Sequence, residues 1–196
     1  MARPYHHGDL RTALLDAALQ AVEAGGHASL SLRELAAGLG VSHAAPYRHF
    51  ANREALLAAV ASTGFDRLAQ AWLAAWQGAG PAGAGPAARL RLAARAYLGF
   101  ATERPALFRL MFQGPAPPGA EAAFAGLQAT MAAALPGAAV AVVKARSIAL
   151  WSALHGFAWL CVEGRIRPAM LGPLAPGALL EAVLDAALGP LPAAPG

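Results

Sequence analysis

A segment of twenty residues, SLRELAAGLGVSHAAPYRHF at positions 31–50, constrains the fold of this chain more than any other stretch. Its first helix is marked by Ser31, an N-cap residue type, and by Glu34, a carboxylate that can return to the amide of the cap residue. Gly38 and Gly40 then end the helical pattern, because glycine tolerates the left-handed backbone that a sharp turn between helices needs. The segment therefore predicts two short helices joined by a glycine turn, a helix-turn-helix.

The second helix of the pair carries polar side chains that suit contacts with a partner. Ser42 is its predicted N-cap, and the small residues after it allow a close approach to a groove. Tyr47, Arg48 and His49 can donate to phosphates or to base edges. An ordinary amphipathic hairpin, with Tyr47 and Phe50 in the core, is the alternative interpretation of the same pattern.

Composition indicates an all-α protein with a sizeable core. Hydrophobic residues make up 57% of the 196 positions and charged residues 13%, which excludes a disordered chain. Alanine dominates, β-branched residues are scarce, and no stretch alternates with a period of two. Helical periodicity predicts further helices over residues 8–24, 53–76, 88–103, 138–163 and 178–188, with shorter ones that start at Pro105 and that carry Phe124.

The motif and its flanks resemble the N-terminal domain of the tetracycline-repressor (TetR) family of bacterial transcription regulators. The matching stretches lie between Gly8 and Leu57 and read GDLRTALLDAALQAVEAGG, SLSLRELAAGLGVSHAAPYRHF and NREALL. A further stretch, LWSALHGFAWL at 150–160, is similar to the Trp–His–Gly segment in the C-terminal domain of one TetR subfamily. Pro46 departs from the family pattern, and it is expected to tighten the second helix because it lacks the N–H that would bond to Ser42.

The resemblance implies an all-α regulator that binds a palindromic operator in double-stranded DNA as a homodimer and leaves it when a small-molecule effector binds. It implies a helix-turn-helix DNA-binding domain over residues 1–54, a helical effector-binding and dimerisation domain over 55–188, and a disordered tail over 189–196. The residues that the resemblance assigns to DNA contact are Ser31, Arg33, Ser42, His43, Ala44, Tyr47, His49 and Arg53, and the donor pattern of the second helix adds Arg48.

Individual roles within this set also come from the resemblance. Arg33 and His43 match base-reading positions, and arginine suits guanine. Ser31, Tyr47 and His49 match positions that meet the DNA backbone. Arg53, at the start of the next helix, stands where the family often has lysine.

Net charge alone does not mark the N-terminal segment as nucleic-acid binding. Residues 1–54 hold five arginines and five carboxylates, a balance of zero, although the whole chain has a formal net charge of +4. The excess lies between positions 86 and 110, where five arginines accompany one glutamate. DNA binding is supported instead by the arginines at 33, 48 and 53 on the motif, and by five of the six histidines, which lie in residues 1–54 and add positive charge when protonated.

Two helices in the C-terminal half are apolar on more than one side and predict a dimer. A helix such as 138–163 must be covered on both sides, by the core of its own subunit and by a partner. The helix over 178–188 has the same pattern, with Glu181 and Asp185 confined to one strip. Gly156 fits this interpretation, since a glycine in mid-helix allows another backbone to come close. We therefore expect an isologous homodimer built from these two helices of each chain.

His155 lies within this apolar surface and has two interpretations. The plainer one is a histidine held by a hydrogen bond in the core or at the subunit interface. The other is a donor in the effector pocket that the TetR resemblance implies, because a ligand-responsive regulator needs a pocket among the same helices. The predicted walls of that pocket are Trp72, Phe108, Met111, Phe112 and Trp151.

The sequence offers no support for an enzyme, a metal site or a cofactor. It contains no HExxH, G-x-S-x-G, P-loop or CxxC pattern, and His43 and His49 have a poor spacing for metal ligation. Cys161 is the single cysteine, which excludes an intramolecular disulfide and fits the reducing cytoplasm. We expect neither a signal peptide nor a membrane span, since the longest uncharged apolar run, 148–162, is shorter than the ~20 residues required.

Two other classes of protein compete with a DNA-binding regulator as interpretations of this sequence. A helical interaction module that has lost DNA reading would bind its partner with little dependence on salt, whereas phosphate contacts impose a steep one. An enzyme is the least supported of the three classes.

Overall fold

The computed structural model describes residues 7–28, 30–78, 85–171 and 176–189, and all regular structure in these ranges is helical. The helices are α1 (His7–Gly25), α2 (Leu32–Gly38), a 3-10 helix (Pro46–Arg48), α3 (Arg53–Gln77), α4 (Pro86–Glu103), α5 (Pro105–Met111), α6 (Pro118–Ala134), α7 (Val140–Val162), α8 (Pro168–Leu171) and α9 (Pro176–Leu188). The predicted all-α fold is confirmed. The predicted tail lies outside the described residues from position 190 onward.

Short-range signals set helix ends where the sequence predicts them. The Ser31 hydroxyl accepts a hydrogen bond from the Glu34 amide at 3.5 Å, which is the N-cap half of the expected capping box. Asn52 caps α3, and its Oδ1 accepts a hydrogen bond from the Ala55 amide at 2.8 Å. The five longer predicted helices agree with the structure to within two residues at each end. The four-residue helix α8 was not predicted.

The described chain forms two compact units. Unit 1 comprises the described residues within 1–66 and 104–121, and unit 2 comprises those within 67–103 and 122–196. The divisions fall inside α3 and inside α6, so that neither helix belongs wholly to one unit. These units describe compactness, and the functional boundary between residues 54 and 55 stays a prediction.

Unit 1 is built on helix α1, against which α2 and α5 pack. The buried side chains of α1 recur every three or four residues: Leu10, Leu14, Ala18, Leu19 and Val22. Helices α3 and α5 approach closely at Gly64, where an added Cβ would lie 2.7 Å from the side chain of Met111. Phe65 and Phe112 then meet edge to face, with ring centroids 5.2 Å apart.

Unit 2 packs α7 against both α4 and α9. Arg91 of α4 pairs with Glu181 of α9 at 2.8 Å and also with Asp185, and Arg95 pairs with Glu181 at 2.6 Å. The hydrogen bond with Asp185 is the main cause of the raised pKa of Arg91. The acidic strip of α9 therefore faces α4. Ala178, Ala182 and Ala186 of α9 are exposed. No helix in the described ranges is long and apolar enough to cross a bilayer.

Candidate nucleic-acid interface and ligand pocket

The segment after α2 is wound more tightly than an α-helix. Gly40 makes the turn with φ +68°. Amide donors then bond to carbonyls three residues earlier: Ala45 to Ser42 at 3.0 Å, and His49 to Pro46 at 2.9 Å. These bonds confirm the tightening expected at Pro46. Its cause is that proline has no N–H for the α-helical bond to Ser42.

Two details of the predicted second helix are wrong. It is a turn followed by a 3-10 helix over Pro46–Arg48 instead of an α-helix that opens at Ser42. The N-cap position of this 3-10 helix is Ala45, which has no side-chain oxygen to cap it. The physical reason is Pro46, whose ring and missing N–H favour bonds to the third preceding residue.

This segment has a buried side that holds it and an exposed side that is open to solvent. Pro46 and Phe50 are buried, and the guanidinium carbon of Arg11 lies 5.3 Å from the centre of the Phe50 ring. Tyr47 is 49% exposed, so the alternative that placed it in the core is wrong, whereas Phe50 is a core residue. The exposed predicted contact residues are Arg33, Ser42, His43, Ala44, Tyr47 and Arg48, and the half-buried ones are Ser31, His49 and Arg53.

Arg53 has a structural task that sequence reasoning missed. Its Nε donates to the Leu30 carbonyl at 2.9 Å, and one Nη donates to the His27 and Ala28 carbonyls at 2.5 and 3.2 Å. The side chain therefore ties the start of α3 to the loop before α2. Its contact with DNA stays a prediction.

The six predicted pocket residues are divided between the two units. In unit 1, Phe108 and Met111 are fully buried, and the Phe108 and Phe112 rings pack with centroids 5.0 Å apart. In unit 2, Trp72 is buried, and its indole N–H donates to the Thr130 hydroxyl at 3.1 Å. Each of these groups has core packing of its own, and their membership of a pocket stays a prediction.

The last two predicted pocket residues, Trp151 and His155, are more open. Trp151 is 38% exposed and His155 is half-buried, with their rings 6.1 Å apart. The Tyr97 hydroxyl lies 3.1 Å from His155 Nδ1, which supplies the hydrogen bond that the plainer interpretation of this histidine requires. Burial lowers the pKa of His155 and raises that of Tyr97. Sequence reasoning did not identify Tyr97, because nothing local links positions 97 and 155.

The described residues give little support for a metal site or a reactive thiol. Among the residues that the structure describes, no three His, Cys, Asp or Glu side chains are grouped so that they could hold a metal ion. Burial raises the pKa of the Cys161 thiol, which disfavours the reactive thiolate.

The fold and the exposed motif define a helix-turn-helix regulator, and family models give the same answer. Residues 14–60 match the model of bacterial regulatory proteins of the tetR family, and residues 90–187 match the tetracyclin repressor-like C-terminal domain. The second match alone spans half of the chain. This chain belongs to the TetR family and is a DNA-binding transcriptional regulator. The Trp–His–Gly subfamily stays a prediction.

Solved structures share the fold over nearly the whole chain. A protein of unknown function from Rhodococcus sp. RHA1 is 32% identical with a TM-score of 0.76, over 95% of this chain and 97% of that one. BioQ, solved with its natural double-stranded DNA operator, is 22% identical with a TM-score of 0.61, over 94% and 99%. A TetR variant from Acinetobacter baumannii AYE in complex with minocycline is 18% identical with a TM-score of 0.64, over 94% and 95%.

The last two similarities concern the fold alone, because their identities are low. No functionally curated protein matches the chain.

Proposed function

We propose that this chain is a homodimeric repressor that binds a palindromic operator and is released when a small molecule binds its C-terminal region. The observation that carries the proposal is the exposed side of the motif, where Arg33, His43 and Tyr47 are open to solvent while Pro46 and Phe50 are buried. The DNA operator of BioQ and the minocycline of the Acinetobacter protein support the two kinds of partner by analogy. Because the proposed target is DNA, we also propose that the protein acts in the cytoplasm. The proposal involves no catalytic group or cofactor.

The exposed residues suit different parts of a DNA duplex. Arg33 and His43 would read base edges in the major groove, where a forked guanidinium pairs well with guanine. Tyr47 and Arg48 would hold the phosphate backbone and fix the register of the motif. The side chains of Ser42 and Ala44 are small and would let the turn approach the groove closely. The half-buried residues Ser31 and His49 would add contacts to the DNA backbone. Arg53 would support the interface indirectly, because its donors hold the loop before α2.

The outward side of α7 supports a homodimer. Small exposed residues recur along it at helical spacing: Ala141, Ala145, Ala149, Ser152 and Gly156. A Cβ added at Gly156 would meet nothing within 4 Å in its own chain, so the space is open to a partner backbone. Ile148 and Leu160 are 51% and 46% exposed beside this stripe and would be covered in a dimer. Two motifs would then enter successive major grooves about 34–36 Å apart.

The test is binding to the DNA that flanks the protein's own gene, titrated by fluorescence anisotropy at two salt concentrations. We expect selective binding that weakens about a thousandfold or more between roughly 50 and 200 mM salt, because phosphate contacts release counterions. Tyr47→Ala is expected to weaken binding about tenfold. This factor corresponds to the loss of one hydrogen bond to a charged group. Tyr47→Phe isolates the hydroxyl, and circular dichroism checks that both variants fold.

The possible results separate the classes of protein. Selective binding with little salt dependence would contradict the phosphate grip and favour an interaction module. If the flanking DNA is not bound, a selection from random duplexes asks whether the operator lies elsewhere. A folded dimer that enriches no sequence in that selection would overturn the proposal.

A further inference from the structure

Arg11 is an exposed residue of α1 that lies beside the motif without belonging to it. Its guanidinium carbon lies over the Phe50 ring, 5.3 Å from the ring centre. Phe50 is the buried last residue of the motif, and its amide donates to the Pro46 carbonyl at 3.0 Å. Helix α1 also packs against the 3-10 helix. The charged end of Arg11 is therefore held next to the segment that is proposed to meet DNA.

The positive charge of Arg11 is not neutralised by its neighbours. The positions three and four residues away along α1 hold His7, Gly8, Leu14 and Leu15, so the helix offers no carboxylate at the spacing of an ion pair. Among the residues that the structure describes, no hydrogen bond or ion pair engages the guanidinium. An aromatic ring face stabilises a cation but supplies no acceptor oxygen for its five N–H groups. The side chain is thus a positioned cation with donors available to a partner.

Two other arginines of unit 1 have their donors occupied. Arg53 donates to three carbonyls, and Arg104 Nε lies 3.5 Å from Glu23 Oε1. Glu23 stands twelve residues after Arg11 on α1, about 18 Å away along the helix at about 1.5 Å per residue. An exposed guanidinium without an acceptor in its own chain suits an anion from outside, and its forked donors match the oxygens of a phosphate.

We propose that Arg11 binds a phosphate of the DNA backbone, a contact that α1 adds to those of the motif. Tyr47 precedes Phe50 by three residues, so their Cα atoms are at most about 11 Å apart at about 3.6 Å per residue. Phosphates of one strand recur about every 3.4 Å along the duplex, so a second backbone contact at this range falls a few steps from the first. The proposal rests on the proposed operator contact of the motif.

The Phe50 ring prepares Arg11 for this contact. A long, mobile side chain loses rotamer freedom when it is fixed on a phosphate, and this loss opposes binding. The guanidinium of Arg11 is already held over the ring in the chain without DNA, so less freedom remains to be lost. Lysine at this position would keep the charge but stack less well on the ring and lack the fork of donors.

The test is the salt dependence of DNA binding by the full-length protein, with a random-sequence duplex as the probe. A phosphate contact needs no particular bases, so the measurement starts at roughly 50 mM salt without knowledge of the operator. Arg11→Gln is expected to weaken binding about tenfold and to reduce the slope of log affinity against log salt by about 0.9. Arg11→Lys should restore the slope, with an affinity within about threefold of the wild type.

Arg104→Gln is the matched control, because it also removes one arginine from unit 1 but near the other end of α1. We expect it to keep the salt slope of the wild type. Urea unfolding of each variant separates a loss of binding from a loss of folding. If Arg11→Gln does not fold, Arg11→Met takes its place, since methionine keeps a favourable contact with the Phe50 ring but has no charge.

Three results would count against the Arg11 contact. A folded Arg11→Gln protein that keeps the affinity and the salt slope of the wild type would contradict it directly. Equal losses in Arg104→Gln and Arg11→Gln would show that removal of any positive charge has the same effect. A loss that Arg11→Gln shows on one duplex sequence and not on others would make Arg11 a base-reading residue instead.

Tyr47→Ala, titrated on the same duplex, distinguishes this proposal from the proposed function. A loss in Arg11→Gln without a loss in Tyr47→Ala would support the Arg11 contact and contradict the backbone contact of the motif. The reverse pattern would contradict the Arg11 contact alone. Wild-type protein that binds no duplex at low salt would contradict both.

Discussion

Two arginines of unit 1 have opposite environments. Arg53 donates hydrogen bonds to the carbonyls of His27, Ala28 and Leu30. Arg33, by contrast, is exposed at the start of α2. Hydrogen bonds from a charged group to buried or half-buried carbonyls contribute more to stability than neutral ones. The first arginine should therefore act on folding and the second on binding.

Replacement of each arginine by alanine tests this division. Arg53→Ala is expected to lower the free energy of unfolding by about 2 kcal/mol, because three carbonyls lose a charged donor. Arg33→Ala should change it by less than about 0.5 kcal/mol but weaken operator binding about tenfold. Urea unfolding and anisotropy titrations measure the two quantities. Equal losses of stability in the two variants would contradict the assignment.

At the scale of elements, the turn of the motif depends on one of its two glycines. Gly40 has φ +68°, a conformation that is costly for a residue with a Cβ, whereas Gly38 is the last residue of α2 and has no positive φ. An added Cβ would meet nothing within 4 Å at either position. Backbone conformation alone therefore separates them.

This pair of glycines gives a prediction with opposite signs. Gly40→Ala is expected to destabilise the protein by about 1–2 kcal/mol through left-handed strain. Gly38→Ala is expected to stabilise it by about 0.5–1 kcal/mol, because alanine loses less backbone entropy in a helix. Thermal or urea unfolding of both variants is the measurement, and destabilisation by both would show that the turn is strained for another reason.

Elements with local signals could be predicted from the sequence, and those that depend on distant residues could not. Ser31 and Asn52 cap the helices that they were expected to cap, because a cap acts within three residues. The ion pairs from Arg91 to α9 join positions ninety residues or more apart, and no local pattern reveals them. The 3-10 helix lies between these cases, since Pro46 signalled the tightening but not the loss of the α-helix.

The candidate sites divide in the same way. The exposed side of the motif follows from the family pattern and from the burial of Pro46 and Phe50. The predicted pocket was drawn from the residue types that line pockets, and such residues also fill cores. Phe108 and Met111 are examples, since both are fully buried in unit 1. Only tertiary structure distinguishes them from partly exposed rings such as Trp159.

At the scale of the whole molecule, the proposed dimer can be tested at Gly156, where an added Cβ would meet no atom of its own chain within 4 Å. Gly156→Leu adds a side chain where nothing lies within 4 Å, and it replaces glycine by a better helix former. In an isolated chain the change should be neutral or stabilising. In the proposed dimer it should separate the α7 helices and shift sedimentation velocity profiles toward monomer.

Gly126→Leu is the matched control for this experiment. Gly126 is also an exposed glycine within a helix, α6, and an added Cβ there meets nothing within 4 Å. It lies outside the proposed interface, so the variant should remain as dimeric as the wild type. A Gly156→Leu protein that sediments like this control would place the dimer contact elsewhere.

The short 3-10 helix at Pro46–Arg48 has a consequence for the evolution of the proposed operators. A 3-10 helix of three residues is about 6 Å long at about 2 Å per residue, less than two base-pair steps of a duplex. In the proposed complex Tyr47 and Arg48 of this helix hold the backbone, and only Arg33 and His43 read bases, so each half-site would convey little sequence information. In the proposed dimer on a palindromic operator, most discrimination would come from the pairing of two half-sites at a fixed spacing. We therefore expect the spacing to be under stronger selection than any single base.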